Sequence, residues 1–337
     1  MMDLSTRYLG LTLRNPLMAA ASPLSRTVDG VRRLADAGVG AVVLYSLFEE
    51  QLVREAQRNA ALTERGSQSY AESLSYFPRR ATQDHGPRRY LSLLERAARA
   101  VPIPVIGSLN GVTPGGWTDH ARSMQDAGAA AIELNIYFLP SDPHVSGRDV
   151  EQRHLDILAR VQDAVTVPVQ VKISPHFSSV GEMALRLDAA GADGLVLFNR
   201  FLQPGIDCET RTVVPDIQLS TAAESRLPMT WIALLRGRIG AALAGGGGVE
   251  DGADVVRFLL AGADVVQTAS ALLRHGPEYA AVLLDEVCRW MRRKEYGSVE
   301  EFRGLLAVPP GADGTSRGRG DYVSALREAD TGAYDIL

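Results

Sequence analysis

The chain has 337 residues, 46% hydrophobic and 22% charged, with a formal net charge of −5. This is a globular composition, and its acidic balance disfavours a nucleic-acid binder, which needs a basic face. No stretch reaches the roughly 18 uncharged apolar residues of a membrane span. The N-terminal "MMDLSTRYLGLTLRNP" lacks the basic-then-apolar order of a signal peptide. Two cysteines, Cys208 and Cys288, read as free thiols in a reducing cytosol.

In chain order, "NPLMAAA" (15–21) is the first apolar strand. "LADAGVGAVVLY" (34–45) then runs from a helix end through Ala-Gly into a second strand. The same device recurs in "MQDAGAAAIELNIY" (124–137), "LDAAGADGLVLFN" (187–199) and "LLAGADVVQTA" (259–269). Gly38, Gly128, Gly191 and Gly262 stand where a helix C-terminus needs positive φ. Between these come the strands "VPIPVIGSL" (101–109), "TVPVQVKIS" (166–174) and "IGAALAGGGG" (239–248). An apolar stripe of Val150, Ile157, Leu158, Val161 and Val165 marks a helix over 150–165, with Ser146 and Asp149 as its N-terminal cap. "EYAAVLLDEVCRWMRRKEYG" is a long helix ending in basic residues, as the helix dipole favours.

Eight strands alternating with eight helices over about 280 residues imply a parallel (β/α)₈ barrel. A doubly wound sheet fits less well, because no G-x-G-x-x-G follows the first strand. The barrel is expected over residues 1–308. The tail, 309–337, reads as a linker with one short amphipathic helix near 321–329. Two connections, 46–87 and 200–227, exceed ordinary βα loops and lie at the strand C-terminal ends, where barrel active sites form.

Gly245 to Gly248 close the seventh strand and open a helix, with Thr268, Ala269 and Ser270 ending the eighth. Bare amides and small hydroxyls at that position suit a phosphate. Lys172 alternates with apolar neighbours on the fifth strand and is expected to point inward. A buried lysine is costly unless paired, and Glu133 on the fourth strand is a candidate partner. Asn135 and Asn199 end inward-facing rows. Ser141, Asp142 and His144 follow the fourth strand; Asp84 and His85 lie in the long second loop. No HExxH or CxxC spacing suggests a metal site.

Over roughly residues 8 to 307, these pieces resemble the dihydroorotate dehydrogenases, FMN-containing barrels of pyrimidine biosynthesis. The soluble class is the nearer match, since no membrane-binding N-terminal extension is evident. "NPLMAAAS" is similar to the segment lying against the flavin, which implies Ala20, Ala21 and Ser22 beside it. "VKIS" is similar to the strand carrying the flavin-contacting lysine, here Lys172. "LVLFN" resembles the segment ending in a ligand-binding asparagine, Asn199. "GGGGVEDGADVVRFLLAGADVVQTASAL" resembles the phosphate end, implying Gly247, Gly248, Ala269 and Ser270. The fourth-strand motif Asn-Leu-Ser-Cys-Pro-Asn reads Asn135-Ile136-Tyr137-Phe138-Leu139-Pro140 here. Phe138 thus occupies the position of the catalytic Cys or Ser. Leu44-Tyr45-Ser46 replaces Thr-Lys-Ser after the second strand, and "SYFP" (75–78) replaces Asn-Ser-x-Gly.

The resemblance implies a cytoplasmic FMN oxidoreductase acting on CH–CH groups, with flavin-side residues kept and the substrate side rewritten. Lys172 and Asn135 are the expected catalytic-site groups, with Tyr137 or His144 as proton donor. The expected partners are a small-molecule substrate or a redox protein, and a second copy of the chain in a homodimer. Two other readings stay open: a lyase or aldolase with Lys172 as Schiff-base nucleophile, and a non-catalytic FMN electron-relay subunit.

Overall fold

The helix–Ala-Gly–strand repeat builds the architecture directly. In the computed structural model, Gly38, Gly128, Gly191 and Gly262 take φ values of +106°, +95°, +89° and +116°. Each therefore ends a helix in a conformation that a Cβ penalises. The structure describes residues 2–51, 86–111, 117–137, 140–200, 204–215, 218–312 and 314–330.

A hairpin of β1 (Thr6–Tyr8) and β2 (Leu11–Leu13) precedes the barrel. The barrel strands are β3 (Leu17–Ala19), β4 (Ala41–Val43) with its continuation β5 (Leu47–Phe48), β6 (Val105–Gly111), β7 (Ala131–Ile136), β8 (Val169–Ile173), β9 (Gly194–Leu197), β12 (Ala242–Gly246) and β13 (Val265–Thr268). All pair in parallel, and β13 joins β3 while β4 joins β6, which closes the ring. A second hairpin, β10 (Gly205–Asp207) with β11 (Thr212–Val214), stands in the long connection after β9. The helices are α1 (Val28–Asp36), α2 (Pro87–Ala100), α3 (Trp117–Asp126), α4 (Gly147–Gln162), α5 (Val180–Ala189), α6 (Arg226–Leu235), α7 (Gly252–Ala261), α8 (Ser270–His275), α9 (Tyr279–Arg293) and α10 (Gly314–Asp330).

The local signals act as the sequence implies. Ser146 and Asp149 form a reciprocal capping box that starts α4, and Ile157, Leu158 and Val161 bury its apolar face. Helix α9 ends in Arg292 and Arg293. Helix α10 is longer than the short helix expected near 321–329. Its glycine-rich start, Gly314 to Gly320, lowers helix propensity, yet the helix begins there.

Strand alternation separates two cores. Outward-facing residues such as Leu134, Val171 and Leu195 pack beneath the helices. Inside the ring, Met18, Val43, Ile106, Ala131, Val196, Ala244 and Val265 pack on Tyr8, Leu9 and Leu13 of the first hairpin. The hairpin plugs the N-terminal end of the barrel; burying each of these large side chains contributes about 1.5–3 kcal/mol. Above that apolar layer the interior turns polar, and this change of character places the site.

Candidate functional site

Glu133 on β7 is fully buried, as are Gln170 on β8 and Ser108 on β6. Gln170 Nε2 donates to Glu133 Oε2 at 2.7 Å, and Gln267 Nε2 from β13 donates to the same oxygen at 3.3 Å. The Ser108 hydroxyl lies 3.5 Å from Glu133 Oε1. Tyr8 donates its hydroxyl to Gln170 Oε1 at 2.6 Å, and its burial pushes the phenol well above its ordinary range. Glu133 is thus satisfied by neutral donors from three strands. It does not pair with Lys172, as the inward alternation suggested, because Gln170 and Gln267 reach its carboxylate first.

One residue pair further along the barrel, Asn135 stands opposite Lys172 in the β7–β8 register. The Lys172 side chain is half-buried, and among the described residues it makes no hydrogen bond or ion pair. It lines a cavity of about 280 Å³ at the C-terminal mouth of the barrel. The same cavity is lined by Ala20, Ala21 and Ser22 after β3, by Asn199 after β9, by Gly247 and Gly248 after β12, and by Ala269 and Ser270 after β13. Asn135 adjoins this group through Asn199, whose Nδ2 donates to Asn135 Oδ1 at 2.5 Å.

The opposite end of the cavity is a cradle of glycines and hydroxyls. Gly247 has φ +87° with open space where a Cβ would stand. Gly248 has φ +72°, and a Cβ there would lie 2.6 Å from Ser225 N and from Thr221 O. Only glycine meets both demands without displacing backbone. Ser220 closes this end. Its hydroxyl donates to Ser270 Oγ at 2.8 Å and accepts from the Gly248 amide at 3.1 Å. Arg274 holds Ser220 in place through its carbonyl at 2.8 Å. Ser220, Gln218, Arg200 and Gln267 line the cavity without having been singled out in the sequence. The first three belong to the 200–227 connection, whose sequence carries no clear periodicity. Gln267, by contrast, alternates with Val266 and Thr268 on β13 and was legible as an inward position.

Tyr137 follows β7 half-buried and outside the cavity lining. His144 is exposed, in the segment leading to α4, where its backbone amide donates to Asp142 Oδ1 at 2.9 Å. Phe138 and Leu139 lie outside the described residues, as do Asp84, His85 and 75–78. After the second barrel strand, Tyr45 stacks edge-on against Tyr90 with centroids 5.1 Å apart. The Arg26 guanidinium sits 5.7 Å from the Tyr45 ring centroid, and burial raises that phenol's pKa. Both cysteines are free thiols. Among the described residues no three His, Cys, Asp or Glu side chains gather as a metal site, and no helix is long and apolar enough to cross a membrane.

Known proteins of similar sequence span most of the chain. The catalytic subunit of dihydroorotate dehydrogenase B (NAD(+)) from Methanothermobacter thermautotrophicus is 29% identical over 315 residues, covering 90% of this chain and 98% of that protein. The proteins of the same name from Methanocella arvoryzae and Pyrococcus abyssi are 29% and 28% identical, over 88% and 90% of this chain and 95% and 98% of theirs. The family model for dihydroorotate dehydrogenase matches residues 3–291. With a closed parallel barrel and a family match over residues 3–291, the chain belongs to the dihydroorotate dehydrogenase family.

Proposed function

We propose that this chain is an FMN-dependent oxidoreductase that takes hydride from a CH–CH substrate and has diverged from dihydroorotate itself. The resemblance to the dihydroorotate dehydrogenases implies FMN, and the residues present suit that cofactor. The observation that carries the reading is Lys172: a half-buried cation with no protein partner among the described residues, facing a cavity whose far end is a glycine–hydroxyl cradle. A buried charge is retained when something compensates it. An anionic ring edge at Lys172 and a phosphate at Gly247, Gly248 and Ser270 would do so together.

Bound there, the flavin supplies the hydride acceptor at its ring N5. The chain's own residues do the rest. Lys172, which lines the cavity, would offset negative charge on a bound flavin ring. Asn199 is fixed by its bonds to Asn135 and to the Arg200 amide, and so orients the Asn135 side chain toward ring or substrate. Ala20, Ala21 and Ser22 form a wall of small side chains that admits a flat ring against backbone. Ser220 and Ser270 would hold the phosphate end. The substrate side differs from the family motif. Phe138 cannot accept a proton, and a positioned base contributes about 10²–10⁴-fold to such a step. Tyr137, adjacent to it in the sequence, is the candidate proton donor.

The relatives' names favour a second element: they are catalytic subunits of an NAD(+)-linked enzyme. We therefore place a redox partner protein, rather than a free small molecule, as the electron acceptor. Purification tests the reading. A yellow protein that releases FMN on denaturation and is not reduced by dihydroorotate supports it. A colourless protein that ignores added FMN, with borohydride trapping a substrate on Lys172, would identify a Schiff-base lyase instead.

A further inference from the structure

Glu133 is a buried carboxylate that the proposed chemistry does not use. It lies at the centre of a hydrogen-bonded axis along the barrel interior. Tyr8 at one end borders a second cavity of about 460 Å³ beneath the first hairpin. Gln267 at the other end borders the cavity that holds Lys172. Tyr8 bonds Gln170, and Gln170 and Gln267 both bond Glu133. Every group bonded to the carboxylate is neutral, and among the described residues no cation comes within ion-pair distance of it.

A glutamine at 133 would fill the same space and still meet its neighbours. What glutamate adds is charge, and burying an uncompensated charge is costly. In the β7–β8 register Glu133 faces Gln170, while Asn135 faces Lys172. Glu133 and Lys172 are therefore diagonal neighbours on the inner surface. They are too far apart to pair and close enough for their fields to overlap in a low-dielectric interior.

We propose that Glu133 is a positioning residue that sets the charge balance of the cofactor site. It partly offsets Lys172 and fixes the amide of Gln267 at the cavity floor. It thereby holds the bound flavin's reduction equilibrium below the level that Lys172 alone would impose. This rests on the FMN reading above. The test is the midpoint potential of FMN-loaded wild type, E133Q and E133D, with melting temperatures measured alongside. E133Q is expected to move the equilibrium about tenfold toward the reduced form, which is about +30 mV for a two-electron couple. K172Q moves it the opposite way, and E133D, which keeps the charge, stays near wild type. E133M, apolar and of similar volume, gives the same upward shift should E133Q fold poorly. A purely structural role would change melting temperature and leave the potential alone. An E133Q or E133M protein that binds FMN with an unshifted potential overturns the proposal alone; a wild type that binds no flavin overturns it together with the FMN reading.

Discussion

Removing the Tyr8 hydroxyl tests whether the buried axis stabilises the barrel. Tyr8 is 1% exposed, and its oxygen lies 2.6 Å from Gln170 Oε1. Tyr8→Phe deletes one atom and leaves the ring packed among Leu13, Met18 and Val196, so no apolar contact is lost. Gln170 cannot recover by rotating its amide, because Nε2 is committed to Glu133 at 2.7 Å, and a flip would aim Oε1 at the carboxylate. A buried acceptor is left without a donor, which costs about 1–3 kcal/mol. In urea unfolding, with a slope at the upper end of the usual range, about 3 kcal/mol per molar, the midpoint should fall by about 0.3–1 M with the slope unchanged. An unchanged midpoint would show that the Tyr8 hydroxyl is not what satisfies Gln170.

Ser146→Ala should cost about 1 kcal/mol in the same assay by removing the cap of α4, with Ser146→Thr restoring most of it. His154 is buried, donates Nδ1 to the Val150 carbonyl at 2.8 Å, and is held down to about 4 by that burial. Its folded value lies below its unfolded one, so the unfolded chain takes up the proton first as pH falls. Stability should therefore drop between about pH 6.5 and 4 by about 3 kcal/mol, and His154→Gln should remove that slope. Gly248→Ala forces a side chain onto φ +72° and to 2.6 Å from two backbone atoms. FMN affinity should fall at least about tenfold by titration, while far-ultraviolet circular dichroism still reports the barrel.

The barrel was legible because its signals are local. A glycine at each helix end and an alternating strand after it are decided within a dozen residues, and the structure places Gly38, Gly128, Gly191 and Gly262 accordingly. The cavity lining was legible to the extent that strand ends carry it: Ala20, Asn199 and Ser270 follow barrel strands, and Lys172 is the penultimate residue of β8. Partnerships across the ring were not. Glu133 is bonded by Gln267, 134 positions away, and nothing in either strand's own pattern indicates that choice over Lys172. Ser220 bonds Gly248 and Ser270, 28 and 50 positions away, contacts that closure of the ring decides rather than local propensity. Helix α10 exceeds its sequence signal for the opposite reason: Gly314, Gly318 and Gly320 weaken local helix propensity where the helix begins.

The most direct measurement is FMN titration of the flavin-free protein, wild type against Lys172→Met, followed by quenching of flavin fluorescence and then by reductive titration. Wild type should bind one FMN per chain. Lys172→Met should bind about tenfold more weakly and be harder to reduce, because the cation facing the cavity is gone. A wild type that leaves FMN fluorescence untouched, or a Lys172→Met protein that binds and reduces FMN as wild type does, would contradict the assignment of this cavity to the flavin.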